Sequence, residues 1–180
     1  MHTAELNQSK APMVANNKAC FVKQSHAEML KTIKHQLHQV KALIVELIEQ
    51  DQELLDINKI LQSFVGIGEI SACGLIATLP ELGKISRRQI SSLVGLAPYP
   101  KQSGKRDGYR SVSGGRVQVK KILFMVAMVA VRSNSKIKEF YDRLILNGKK
   151  KLVALTAAMR KIITILNAQI RDYYKIKQMS

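Results

Sequence analysis

The sequence predicts a mainly α fold: a long coiled-coil-like helix, then a helical domain containing a helix-hairpin-helix and one basic Gly/Pro/Ser loop. Three observations predict it. Apolar residues recur at helical spacing from Leu30 almost to the C-terminus, and no segment sustains the alternation of a strand. Glycine, proline and serine concentrate between Gly95 and Arg116. The 180 residues, 46% of them apolar, suffice for one well-packed domain with an extension.

Residues 1–24 are polar and mixed, lack periodicity, and are expected to form a poorly ordered leader. Leu30, Ile33, Leu37, Val40, Ile44 and Leu47 are spaced 3, 4, 3, 4, 3, the a/d seam of a coiled coil, and Leu54 resumes it after Asp51 takes an a position. Residues 25–59 therefore read as one long helix whose partner is a second copy or an antiparallel helix of the same polypeptide. Residues 60–180 form the C-terminal helical domain. Phe64-Val-Gly-Ile-Gly-Glu-Ile-Ser-Ala72 reads as a helix-hairpin-helix turn. Gly66 and Gly68 permit the tight backbone and bare its amides where a phosphate oxygen is favoured, and Ala72 lets the helices approach. A nucleotide-binding glycine loop does not fit, because no strand precedes these glycines and no GK[ST] follows; a purely structural αα turn does. Ser86 caps a short helix ending at Gly95. After the loop, in which Tyr109–Val112 has strand character, helices are expected over 117–132, 136–146 and 152–173.

Charge is placed unevenly. The net +16 divides into 10 Lys/Arg against 9 Asp/Glu in residues 1–100, and 19 against 4 in residues 101–180. A folded polycationic half points to nucleic acid first and to an anionic membrane surface second. The longest apolar run, Ile122–Val131, is too short to span a bilayer, so no membrane partner is expected. Cys20 and Cys73 are far apart and neither has a Cys or His partner at ligand spacing, so a disulfide framework and a zinc site are not implied, no metal ligand is assigned, and a reducing cytoplasm is the expected location.

The chemistry concentrates in residues 93–116. Ser103 stands between Gln102 and Gly104, and Lys101, Lys105, Arg106, Arg110 and Arg116 crowd around it, with Lys120 and Lys121 opening the next helix. A hydroxyl inside fixed positive charge suits attack on a phosphate: cations bind the anionic backbone and stabilise charge on the transferring phosphoryl group. The candidate nucleophile is Ser103, and the candidate nucleic-acid contacts are Gly66, Gly68, Lys101, Lys105, Arg106, Arg110, Arg116, Lys120 and Lys121. A serine that merely solvates a turn, in a non-catalytic helix-hairpin-helix nucleic-acid binder, is the alternative.

The Gly-Ile-Gly hairpin, Gly95-Leu-Ala-Pro98, Gln102-Ser-Gly104, Gly115 with Lys120-Lys121, Phe140-Tyr-Asp-Arg-Leu144, Gly148-Lys149 and Ala154 with Arg160-Lys161 occur in this order. Together they resemble the C-terminal half of DEDD-type insertion-sequence transposases, the IS-one-ten group, kin to Piv-type site-specific invertases. The resemblance covers roughly residues 60–170, with the preceding helix matching the family's coiled-coil linker. It implies cutting and rejoining of DNA, with Ser103 forming a transient phosphoserine link. It also implies an N-terminal RuvC-like domain whose four acidic residues hold a divalent metal such as magnesium, and a structured guide RNA. Residues 1–24 carry Glu5 as their one acid, so the chain is expected to be a truncated piece. It is expected to need no cofactor of its own, to bind DNA, to self-associate through 25–59, and to be incompetent for recombination alone.

Overall fold

The computed structural model describes residues 17–99, 102–103, 106–107 and 111–179, with the backbone alone for 17–21, 99, 102–103, 106–107 and 111. The chain divides into two compact units, Met1–Gln50 and Asp51–Ser180. Among the described residues the first holds one helix, α1 (Asn17–Glu49). This helix starts inside the stretch expected to be a disordered leader. Along the expected seam Leu37, Val40, Ile44 and Leu47 are 39–63% exposed.

The second unit begins where a continuous 25–59 helix was expected, and that expectation needs correcting. Asp51 is extended, and its carboxylate accepts the backbone N–H groups of Glu53 (2.8 Å) and Leu54 (3.2 Å), opening α2 (Gln52–Gln62). A short carboxylate competes with the intrahelical ladder for nearby amides, so Asp51 acts as an N-cap and the helix restarts there.

Among the described residues five further helices follow in this unit: α3 (Glu69–Thr78), α4 (Arg87–Leu93), α5 (Val117–Ser133), α6 (Ser135–Leu146) and α7 (Lys151–Met179). The fold is mainly α, as the periodicity predicts. Helix α7 is the spine. Its Leu155, Ala158, Ile162, Ile163, Leu166 and Ile170 recur at three- and four-residue steps, are buried, and meet α2, α4, α5 and α6. By length and composition α7 could cross a membrane, yet half of its apolar window is buried within the fold, as for a core helix. The small Ala127 and Ala130 of α5 are fully buried beside Leu123 and Val126, and α5 packs on α3, α6 and α7.

Polar side chains fix the boundaries. Ser86 and Gln89 form a reciprocal capping box at the start of α4. Asn134 closes α5 through its amide, which bonds Ala130 O, and caps α6 by accepting from the Ile137 N–H. Asn167, 2% exposed on α7, clamps the turn after α3: its Oδ1 accepts from Gly83 N–H (2.8 Å) and its Nδ2 donates to Ile85 O (2.9 Å). Both amide functions are satisfied, so burying this polar group is tolerated.

Two small antiparallel ladders lie between α4 and α5. Strand β1 (Pro98–Tyr99) pairs with β4 (Ser111–Val112), and β2 (Gln102–Ser103) pairs with β3 (Arg106–Asp107). The strand expected at Tyr109–Val112 is thus described at its last two residues.

Candidate nucleic-acid interface

The loop that carries the candidate serine is closed at its base by backbone. Gly95 ends the α4 region at φ +73° and Gly115 precedes α5 at φ +76°. Their main chains lie so close that a Cβ on either would overlap the other's backbone. The left-handed conformation and this approach both demand glycine. The Arg116 N–H donates to Leu93 O (3.2 Å), and Leu96 N–H and Ala97 N–H both donate to Ser91 O (2.8 and 3.0 Å). From this stem β1 and β4 run outward, and β2 and β3 form the next ladder, in which Ser103 lies in register opposite Arg106. The side chains of Ser103 and Arg106 lie outside the described residues, as do Lys101, Lys105 and Arg110 entirely.

Arg116 has a different setting from the one its sequence position suggested. Its guanidinium grips Glu81 with both terminal nitrogens (2.6 and 2.5 Å) and also donates to Thr78 O (2.8 Å), a carbonyl at the end of α3. It ties the loop's exit to the turn after α3. The hydrogen bonds from this guanidinium hold the Glu81 carboxyl below its ordinary value. Lys120, half-buried, donates from Nζ to Gly114 O (2.7 Å) and so secures the stem from the first turns of α5. Lys121 is exposed and has no ion-pair partner among the described residues.

The two hairpin glycines also separate. Gly66, at φ +106°, presses its Cα on α5, where an added Cβ would lie 3.1 Å from Val126 O and 3.4 Å from Ala130 N. Phe64 and Ile67 beside it are buried. Gly66 therefore seats the α2–α3 turn in the core. Gly68 has open space around it and is the N-cap of α3 with no side-chain cap. Glu69 in that first turn complements the positive helix end.

Below the ladders a shallow groove of about 380 Å³ opens between α5 and α7. Leu96, Val112, Phe124, Met125 and Met159 form its apolar lining, and Lys120 and Lys121 its basic edge. Sequence reasoning missed this groove, the glycine stem and the role of Glu81. Helical spacing assigns Phe124 and Met125 to a buried run, although Met125 is 63% exposed. Among the described residues no three His, Cys, Asp or Glu side chains converge, so these residues do not fit a divalent metal site.

Comparison with known proteins places this region in a sequence context. Residues 58–142, from the middle of α2 to α6 and including the whole loop, match the family model described as "Transposase IS116/IS110/IS902 family". The chain is 29% identical over 150 residues to "Insertion element IS110 uncharacterized 43.6 kDa protein" of Streptomyces coelicolor, covering 82% of this chain and 36% of that one. It is 26% identical over 143 residues to the IS116 insertion-element protein of Streptomyces clavuligerus, covering 75% and 36% respectively. It is 28% identical over 156 residues to the "Pilin gene-inverting protein" of Moraxella bovis, covering 84% and 48%. The chain thus spans between a third and a half of the length of these relatives. Over residues 58–142 the chain is similar to the IS116/IS110/IS902 transposase family.

Proposed function

We propose that residues 51–180 are the DNA-binding, serine-bearing domain of a transposase, acting on a DNA strand held against the 96–115 loop. The observation that carries this reading is the glycine stem. A loop that merely joins two helices does not need two left-handed glycines in backbone contact, an amide bond across its base and a lysine pinned to it. Such a stem gives a rigid mount to the ladder that includes Ser103. In the proposed step the Ser103 hydroxyl oxygen forms a bond to a backbone phosphorus. The bond from that phosphorus to a sugar oxygen breaks, and the displaced oxygen takes up a proton while the serine gives one up. Cations of the loop and Lys121 hold the phosphates. Arg116 and Lys120 act one step back, by fixing the loop's two ends. Gly66 contributes packing, and Gly68 offers α3 amides to a phosphate as a helix-hairpin-helix would.

The finer partners follow from the same reading. The exposed apolar seam of α1 pairs two copies as a coiled coil. A guide RNA and a magnesium-holding acidic domain act with the chain in a cytoplasmic reaction on element ends. The test is a covalent adduct. With element-end DNA and the acidic domain supplied, the wild-type chain gives a protein–DNA species that survives denaturation, and Ser103→Ala gives none. An adduct that persists in Ser103→Ala rejects the assignment of the nucleophile. Intact strand transfer in that variant would favour the non-catalytic binder, a reading that the uncapped, open Gly68 also accommodates.

A further inference from the structure

We infer that the groove between α5 and α7 receives a nucleobase from the strand engaged by the loop, stacked on Phe124 with its adjoining phosphate at Lys121. The inference rests on the nucleic-acid reading above and specifies a contact that the loop does not supply. Four features favour a base over other occupants. The groove is almost wholly apolar, and its volume of about 380 Å³ lies at the small end of the range for small-molecule pockets, roughly 300–1,000 Å³. Its floor offers one aromatic ring, Phe124, which is 38% exposed on a face of α5 that also leaves Met125 and Val117 uncovered. Its lining includes two cations, Lys120 and Lys121, and no carboxylate, which suits an occupant that joins an apolar body to an anion. Leu96 leads into β1 and Val112 belongs to β4, so the groove adjoins the β1–β4 ladder, from which the chain runs on to the β2–β3 ladder that holds Ser103. An apolar side chain from a protein partner would fill the lining but bring no anion to Lys121. A base attached to its phosphodiester satisfies both, and a π-face on Phe124 is sequence-tolerant.

Lys120 Nζ, already bonded to Gly114 O, keeps two N–H groups for a phosphate, and exposed Lys121 keeps three. No duplex end needs to melt if the strand arrives already single-stranded; from a duplex the base must be extruded, at the cost of its pairing and stacking.

The experiment compares the full chain binding two single-stranded DNA oligonucleotides of equal length, one bearing bases and one abasic throughout, by fluorescence anisotropy. The wild type should bind the base-bearing strand about tenfold more tightly. Phe124→Leu, which keeps an apolar side chain of similar size, should erase that preference, and Phe124→Trp should keep it. Lys121→Ala should weaken both strands by the same factor. Equal affinity of the wild type for both strands, with binding that still falls steeply with salt, overturns this inference and leaves the nucleic-acid reading standing. A preference that survives Phe124→Leu puts the base elsewhere and overturns it too. Failure of both strands to bind at low salt removes the proposed function, and this inference with it.

Discussion

At the residue scale, three glycines at the two ends of the loop test its stem. Gly95, Gly114 and Gly115 all have positive φ, but an added Cβ at Gly114 meets nothing, whereas at Gly95 or Gly115 it runs into backbone. Gly95→Ala and Gly115→Ala should each cost at least about 2 kcal/mol, and Gly114→Ala about 1 kcal/mol from conformational strain alone. Urea unfolding of the three variants gives that order or refutes the stem. The Arg116–Glu81 pair makes a pH prediction. The guanidinium lowers the folded-state pKa of Glu81 beneath its ordinary 4.5. A depressed carboxylate contributes stability that is complete above the unfolded value and is lost as pH falls through the folded one. Wild type should therefore lose stability below about pH 4.5 more steeply than Arg116→Gln, by a modest amount because the pair is partly exposed to solvent. Identical acid limbs for the two proteins would show that the pair does not couple to folding.

At the element scale, the break before α2 and the first turns of α5 carry the predictions. Asp51→Ala removes two cap bonds and should cost about 1 kcal/mol, while Asp51→Asn, which keeps an acceptor, should cost a few tenths. An unchanged denaturation midpoint for the alanine variant would mean that the cap does not hold α2. On α5, Lys121→Ala should lower the slope of log affinity for DNA against log salt by about one, and Arg116→Gln should leave it unaltered, because one cation faces solvent and the other faces Glu81. Equal changes in both variants would return Arg116 to the interface. These elements also mark how far the sequence can be read. Helices α5 to α7 announce themselves by the 3.6-residue recurrence of apolar side chains, and α4 by its cap at Ser86 and by Gly95, which are local signals. The break at Asp51 is less legible, since a carboxylate at one a position suits a polar coiled-coil layer as well as an N-cap. Sequence position alone groups Arg116 with the phosphate contacts, because a chain of symbols gives its neighbours and not its partner, and Glu81 lies 35 residues away. The Gly95–Gly115 contact is hidden for the same reason. The exposed face of α5 is hidden too, because a short apolar run does not disclose which of its sides lacks cover.

At the scale of the whole molecule, the charge asymmetry becomes a division of labour within residues 51–180. Several cations serve the fold: Arg116 on Glu81, Lys177 on Glu53, Lys161 over the Phe140 ring at 4.4 Å, and Lys84 over Tyr174 at 5.6 Å. Lys121, Lys136, Lys138 and Lys149 to Lys151 remain exposed and supply the field that draws a phosphate backbone. The similarity of residues 58–142 to a transposase family is the reason DNA is the partner we propose for that surface. The most direct measurement is the salt dependence of DNA binding by the full chain. Contact with at least six phosphates gives a slope of log affinity against log salt near −5, and so a loss on the order of a thousandfold over a fourfold rise in salt. A slope near zero, or no binding at low salt, would contradict the claim that this domain grips a phosphate backbone.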